Sequence, residues 1–87
     1  MRLIGKERLS PLRGTDKDVD LWISAWIAEL SNAIWKCSDD LIRSFPRAQQ
    51  CTRVVFIFPI QESGNSIKLL LSFDKGIALI QEVIKND

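Results

Sequence analysis

The sequence predicts an α+β domain in which one long and one or two short helices pack on a three- to four-stranded antiparallel sheet. Three observations predict it. Between Val19 and Ile34 the apolar residues recur at intervals of three and four, the period of a helix with one buried face. From Arg53 to Phe58 the composition changes to β-branched and aromatic residues, which favour a pleated strand. Two further apolar runs follow, separated by turn residues, as in an antiparallel meander.

The elements follow in order. Arg2-Leu3-Ile4, closed by Gly5, reads as a sheet-edge strand, and a short helix from about Lys6 to Leu9 ends where Pro11 and Gly14 break it. Thr15 heads a Thr-x-x-Asp capping box with Asp18, while Asp16 and Asp20 add negative charge at the N-terminus of the long helix. Its predicted buried face is Val19, Trp22, Ile23, Trp26, Ile27, Leu30, Ala33 and Ile34. Trp35-Lys36-Cys37 leaves that helix, Ser38 caps the next, and Asp39 and Asp40 occupy its first turn. Phe45 precedes Pro46, a position pushed out of helical geometry, so this second helix ends near Ser44. After the polar link Arg47 to Gln50, the strand Arg53 to Phe58 is ended by Pro59. Gln61 to Asn65 is a turn, Ile67 to Phe73 a strand, Asp74-Lys75-Gly76 a tight turn and Ile77 to Ile84 the last strand. In that last run Ile77, Leu79, Gln81 and Val83 alternate with Ala78, Ile80, Glu82 and Ile84, so both faces are expected to be largely covered.

Composition bounds what such a domain does. The 87 residues are 46% hydrophobic and 26% charged, which describes one small globular domain over residues 1–87 with no linker. No apolar run approaches the roughly 20 residues that cross a bilayer, and MRLIGKERL lacks the pattern of a signal peptide. A cytoplasmic protein without membrane contact is expected. Cys37 and Cys51 have no metal-ligand spacing and no His to complete a site, so reduced, packed thiols are expected, with no metal or cofactor. A net charge of +1 supplies no global field for nucleic acid, and any RNA contact requires a local basic patch.

Along nearly its whole length the chain resembles the HigB-type toxins of bacterial toxin–antitoxin systems, relatives of the RelE fold. The residues that carry the likeness are Met1-Arg2-x-Ile4 with Lys6 and Leu9, Ala25-Trp26, Ala33-x-Trp35-Lys36, Asp40-Leu41, Phe45-Pro46-x-Ala48 and Val55-Phe56. Gly64-Asn65-x-x-Lys68-Leu69 and Ile80-x-x-Val83 complete it, with Lys68 standing where the family usually has an arginine. The resemblance implies a RelE-like domain that enters the ribosome, cuts mRNA, and is held inactive by an antitoxin of helix-turn-helix type. Three departures accompany it. The family usually carries a His and then a Tyr-Asp pair after the strand ending near Val83, whereas Asn86 stands near the His position. The Asp74 to Gly76 turn is about two residues short, and Leu79 and Gln81 replace an expected tyrosine and arginine.

RNA cleavage needs a proton acceptor for the 2′-hydroxyl, cations for the developing phosphate charge and an acid for the leaving oxygen. The chain contains neither His nor Tyr, so cleavage by the family's usual proton carriers is in question. Lys68 is the candidate catalytic cation; the competing and simpler reading is an exposed strand-face lysine that discourages edge pairing. Lys36, Arg43, Arg47 and Arg53, with Lys68, form the candidate RNA-binding set around the junction of the second helix and the sheet. The competing reading is a solvated surface interleaved with Asp39 and Asp40. Trp35 reads either as a platform for a base or as a packing residue like Trp22 and Trp26. Asp39-Asp40 is an N-terminal capping pair, because successive helix residues do not face each other. Gly64-Asn65 marks a loop, because no helix follows to cradle a phosphate. Two functions follow: a ribosome-associated mRNA endonuclease, or an inert RelE-fold module that engages the antitoxin-like partner.

Overall fold

A computed structural model describes residues 1–14, 16–61 and 63–85. The order of elements is strand β1 (Arg2–Ile4), a 3-10 helix (Lys6–Leu12), helices α1 (Lys17–Asn32) and α2 (Ser38–Ser44), and strands β2 (Gln49–Gln50), β3 (Val55–Pro59), β4 (Ser66–Ser72) and β5 (Ile77–Ile84). The expected α+β class and the long helix are present, but the sheet differs from expectation. It has five strands in the order β1-β5-β4-β3-β2, and it is mixed, because β1 runs parallel to β5. A parallel neighbour needs a crossover, and nearly the whole chain separates these two strands, so nothing in the local pattern of Arg2–Ile4 reveals its partner. The Met1 amino group donates to the carbonyls of Leu30, Ser31 and Ala33, which ties β1 to the end of α1. The other extra strand, Gln49–Gln50, is two polar residues that pair with Ile57 and Phe56; only the neighbouring strand makes them extended.

Helix α1 starts at an Asp16 cap whose carboxylate accepts from the Asp18 amide at 2.8 Å. Thr15, the expected cap, lies outside the described residues, as do Asn86 and Glu62 of the expected turn. Val19, Ile23, Trp26 and Leu30 are buried, as the period predicts, but the helix stops at Asn32. Ala33 is extended (ψ 144°) and Ile34 is 84% exposed, so the apolar repeat outruns the helix by two residues. In α2, Ser38 is the first helical residue rather than the cap; Asp40 folds back to accept from the Lys36 amide at 3.0 Å. The helix ends at Ser44, as Pro46 requires. The 3-10 helix runs through Pro11 because its bonds Arg8 N–H to Gly5 and Arg13 N–H to Ser10 need no donor from proline.

Strand β3 begins two residues later than expected. The Thr52 hydroxyl accepts from the amides of Val54 and Val55, holding Arg53 in a bend. From there alternation is strict: Phe56 and Phe58 of β3, Ile67, Leu69 and Leu71 of β4, and Ala78 and Ile80 of β5 are buried on the face under the helices. They join Ile23, Trp26, Leu30, Leu41, Leu9 and Leu12 in one core. The opposite face is not covered as expected; Val55, Ile57, Lys68, Leu70, Ile77 and Leu79 are only half-buried and Ile4 is exposed. The two cysteines, expected to be packed, are both exposed and free.

A bulge in β5 breaks the predicted alternation. Leu69 pairs with Ile80 but Lys68 pairs with Glu82, so Gln81 is the extra residue. Val83 therefore joins the helix-side face, and Glu82 moves to the open face. The exposed carbonyl of Gln81 accepts from the Arg8 guanidinium at 2.7 Å, a bond across 73 positions of sequence. Gly5 passes close to the same strand: a Cβ there would lie 3.0 Å from the Ile80 carbonyl oxygen, at φ +93°.

Gly5→Ala is expected to lower stability by more than about 1 kcal/mol, since both φ and space oppose a side chain. Gly76→Ala, strained in φ (+65°) but with open space around it, is expected to cost less. Urea unfolding of the two variants orders them, and equal midpoints contradict the close approach. Leu30→Ala, which empties a fully buried position, is expected to cost about 2–5 kcal/mol in the same measurement.

Candidate functional site

The structure distributes the candidate cations over four places. Lys68 lies in the middle of β4 on the open face, opposite Glu82, with Ile57 on its other side. Its ammonium is 3.9 Å from the Glu82 carboxylate, and the two side chains are 36% and 58% exposed. Such a pair contributes at most about 1 kcal/mol, but it places an anion where an incoming phosphate requires none. The pair exists because the Gln81 bulge turns Glu82 toward the open face, a shift invisible to a strict two-residue period.

Lys36 and Arg53 come together. They line a groove of about 400 Å³ at the end of the sheet, between the α1–α2 junction, the bend before β3 and the end of β4. Ser38, Gln50, Ser72 and Asp74 supply its other polar groups. Lys36 also borders a neighbouring groove with Arg2, Lys75 and Asp74. Arg2 and Lys75 were not legible as candidates, because only the β1–β5 pairing brings them to this end.

Arg43 and Arg47 are elsewhere. Arg43 sits 3.8 Å from Asp40, one turn back on α2, in a groove with Glu29 and Asn32 on the helical side. Arg47 borders an aromatic pocket formed by Trp22, Phe45 and Phe58, at the end of β3 opposite to the Lys36–Arg53 groove. The expected single basic surface at the junction of α2 and the sheet is thus divided: Asp40 turns Arg43 along the helix, and the loop after Pro46 carries Arg47 to the far end.

Trp35 is a packing residue. It is 7% exposed, its indole N–H donates to the Ser44 hydroxyl at 3.2 Å, and its ring meets Phe45 edge-on at 5.9 Å. Asp39 and Asp40 occupy the first turn of α2, and Gly64 (φ 82°) and Asn65 form the loop between β3 and β4. Among the described residues no group of three His, Cys, Asp or Glu side chains is placed to hold a metal ion, and no helix is long and apolar enough to cross a membrane.

The arrangement therefore defines an α+β domain with four unlike candidate surfaces: a mostly apolar open sheet face holding the Lys68–Glu82 pair, a groove with Lys36 and Arg53, a groove on the helical side with Arg43, and an aromatic pocket with Arg47. No protein-family model matches the chain, and no curated protein matches it.

A double-mutant cycle on Lys68→Met and Glu82→Met is expected to give a coupling of about 1 kcal/mol or less, falling as salt rises. A coupling of several kcal/mol would mean that the pair is shielded from water, contrary to its exposure.

Proposed function

We propose that this chain is a HigB-type relative of RelE-like toxins that works in the bacterial cytoplasm as a protein-binding module, engaging an antitoxin-like partner of the helix-turn-helix type. One observation carries the reading. Lys68, Arg53 and Arg47, which a nuclease would gather around its substrate, lie on three different surfaces, and Lys68 is already faced by Glu82. The surface around Lys68 suits a protein. Val55, Leu70, Leu79 and Ile4 are register partners across four strands and form an apolar row beside the ion pair. An apolar strip with a charged neighbour is the makeup of a contact surface, in which burial supplies affinity and the charges fix orientation.

A second reading has its own support. Lys36 and Arg53 converge on one groove, so the activity implied by the resemblance, ribosome-associated mRNA cleavage, keeps a phosphate-facing element, although one displaced from Lys68.

Co-expression with the product of a neighbouring helix-turn-helix gene tests the first reading. The two proteins are expected to co-purify, and Leu70→Glu on the open face is expected to weaken the complex at least tenfold. A chain that stays a lone monomer at high concentration with the candidate partner present overturns it. Induced expression without a partner tests the second: growth arrest with ribosome-dependent mRNA cuts, weakened by Lys36→Ala together with Arg53→Ala, supports the nuclease. Unchanged growth with intact mRNA rules it out.

A further inference from the structure

We propose that the pocket between Trp22, Phe45 and Phe58 is an anchor site that receives one apolar side chain flanked by carboxylates on a partner protein. The inference rests on the partner-binding reading and adds a place that the open sheet face does not include. Several elements build the pocket: α1 supplies Trp22, the end of α2 and the loop after it supply Ser44, Phe45, Pro46 and Arg47, β3 supplies Phe58 and Pro59, and the turn after β3 supplies Gln61. Its volume is about 180 Å³, below the roughly 300–1,000 Å³ of sites that enclose a whole small molecule, and of a size for one side chain.

The walls are already in place. Trp22 stacks on Trp26 at 6.1 Å, Trp26 meets Phe58 edge-on at 5.5 Å, and Phe58 meets Phe45 at 5.3 Å. The wall residues are thereby tied to the core, and little ordering remains to oppose binding. Arg47 is the cation at the rim; it is exposed and has no ion pair among the described residues. A carboxylate next to the inserted side chain complements it, and tryptophan and arginine around a pocket are the residues that dominate binding energy at protein interfaces. A nucleic acid fits less well, because backbone recognition uses several cations and Lys36 and Arg53 lie beyond the other end of β3.

The test follows the indole N–H resonance of Trp22 by NMR during titration of the full chain with three peptides and one RNA. The peptides are acetyl-Glu-Leu-Glu-amide, acetyl-Lys-Leu-Lys-amide and acetyl-Glu-Ala-Glu-amide; the RNA is a single-stranded oligonucleotide. The acidic leucine peptide is expected to give a saturable shift, with affinity reduced roughly tenfold or more when alanine replaces leucine. Arg47→Glu is expected to reverse the preference toward the lysine-flanked peptide, and Arg47→Lys to retain the original one. Arg47 is exposed, so both variants should keep the wild-type fold, which the remaining indole signals report. No saturable shift from any peptide, a preference unchanged by Arg47→Glu, or a shift given by the RNA alone overturns the anchor site. If the antitoxin-like partner binds wild type and Arg47→Glu equally, the anchor fails while the partner-binding reading stands. If no partner binds the wild type, that reading fails, and the peptide titration still decides the pocket.

Discussion

The constraint on which the rest of the structure depends is the burial of one face of the sheet by α1. Phe56, Phe58, Ile67, Leu69, Leu71, Ala78 and Ile80 present a continuous apolar surface, and Val19, Ile23, Trp26 and Leu30 cover it. A domain of this size has one core to remove from water, and a sheet with a single helical layer leaves its other face to be managed separately. The half-exposed row from Val55 to Ile4 follows directly, since no second layer among the described residues reaches it. Function is thereby directed to the surfaces that the core leaves open.

Aromatic packing ties the core to the surface. Trp22, Trp26, Phe58, Phe45 and Trp35 form an unbroken series of ring contacts from α1 through β3 and the loop after α2 to the α1–α2 junction. Trp26, the second ring of the series, is 2% exposed, and its indole N–H has no hydrogen-bond partner among the described residues. An unmet donor of this kind costs about 1–3 kcal/mol, which the burial of the large ring offsets. The same series carries Trp22, Phe45 and Phe58 to the aromatic pocket, so its aromatic walls are held by ring contacts with the core.

Electrostatics separates the two functional readings. The cations expected to form one set meet unlike environments: Glu82 beside Lys68, Asp40 beside Arg43, a shared groove for Lys36 and Arg53, and an aromatic rim for Arg47. Stabilising a developing phosphate charge requires cations converging on one point. Only Lys36 and Arg53 of this set converge, and their groove lies at the end of the sheet rather than around Lys68.

The sequence by itself determined what depends on near neighbours. The period of three and four set α1, Pro46 set the end of α2, and β-branched and aromatic runs set β3 to β5, because helical and strand geometry are local properties of the chain. It also made Trp35 and the Asp39-Asp40 pair readable as packing and capping residues. The tertiary structure alone decided what depends on distant partners. Whether Arg2–Ile4 pairs parallel or antiparallel is settled by which strand lies beside it, and two glutamines become a strand only against β3. The bulge at Gln81, closed by Arg8 from 73 positions away, turns Glu82 toward Lys68, and no local period contains that information. Pairing of cations belongs to the same class: a lysine on a strand is a candidate site in the sequence, and the residue across the ladder decides whether its charge is free.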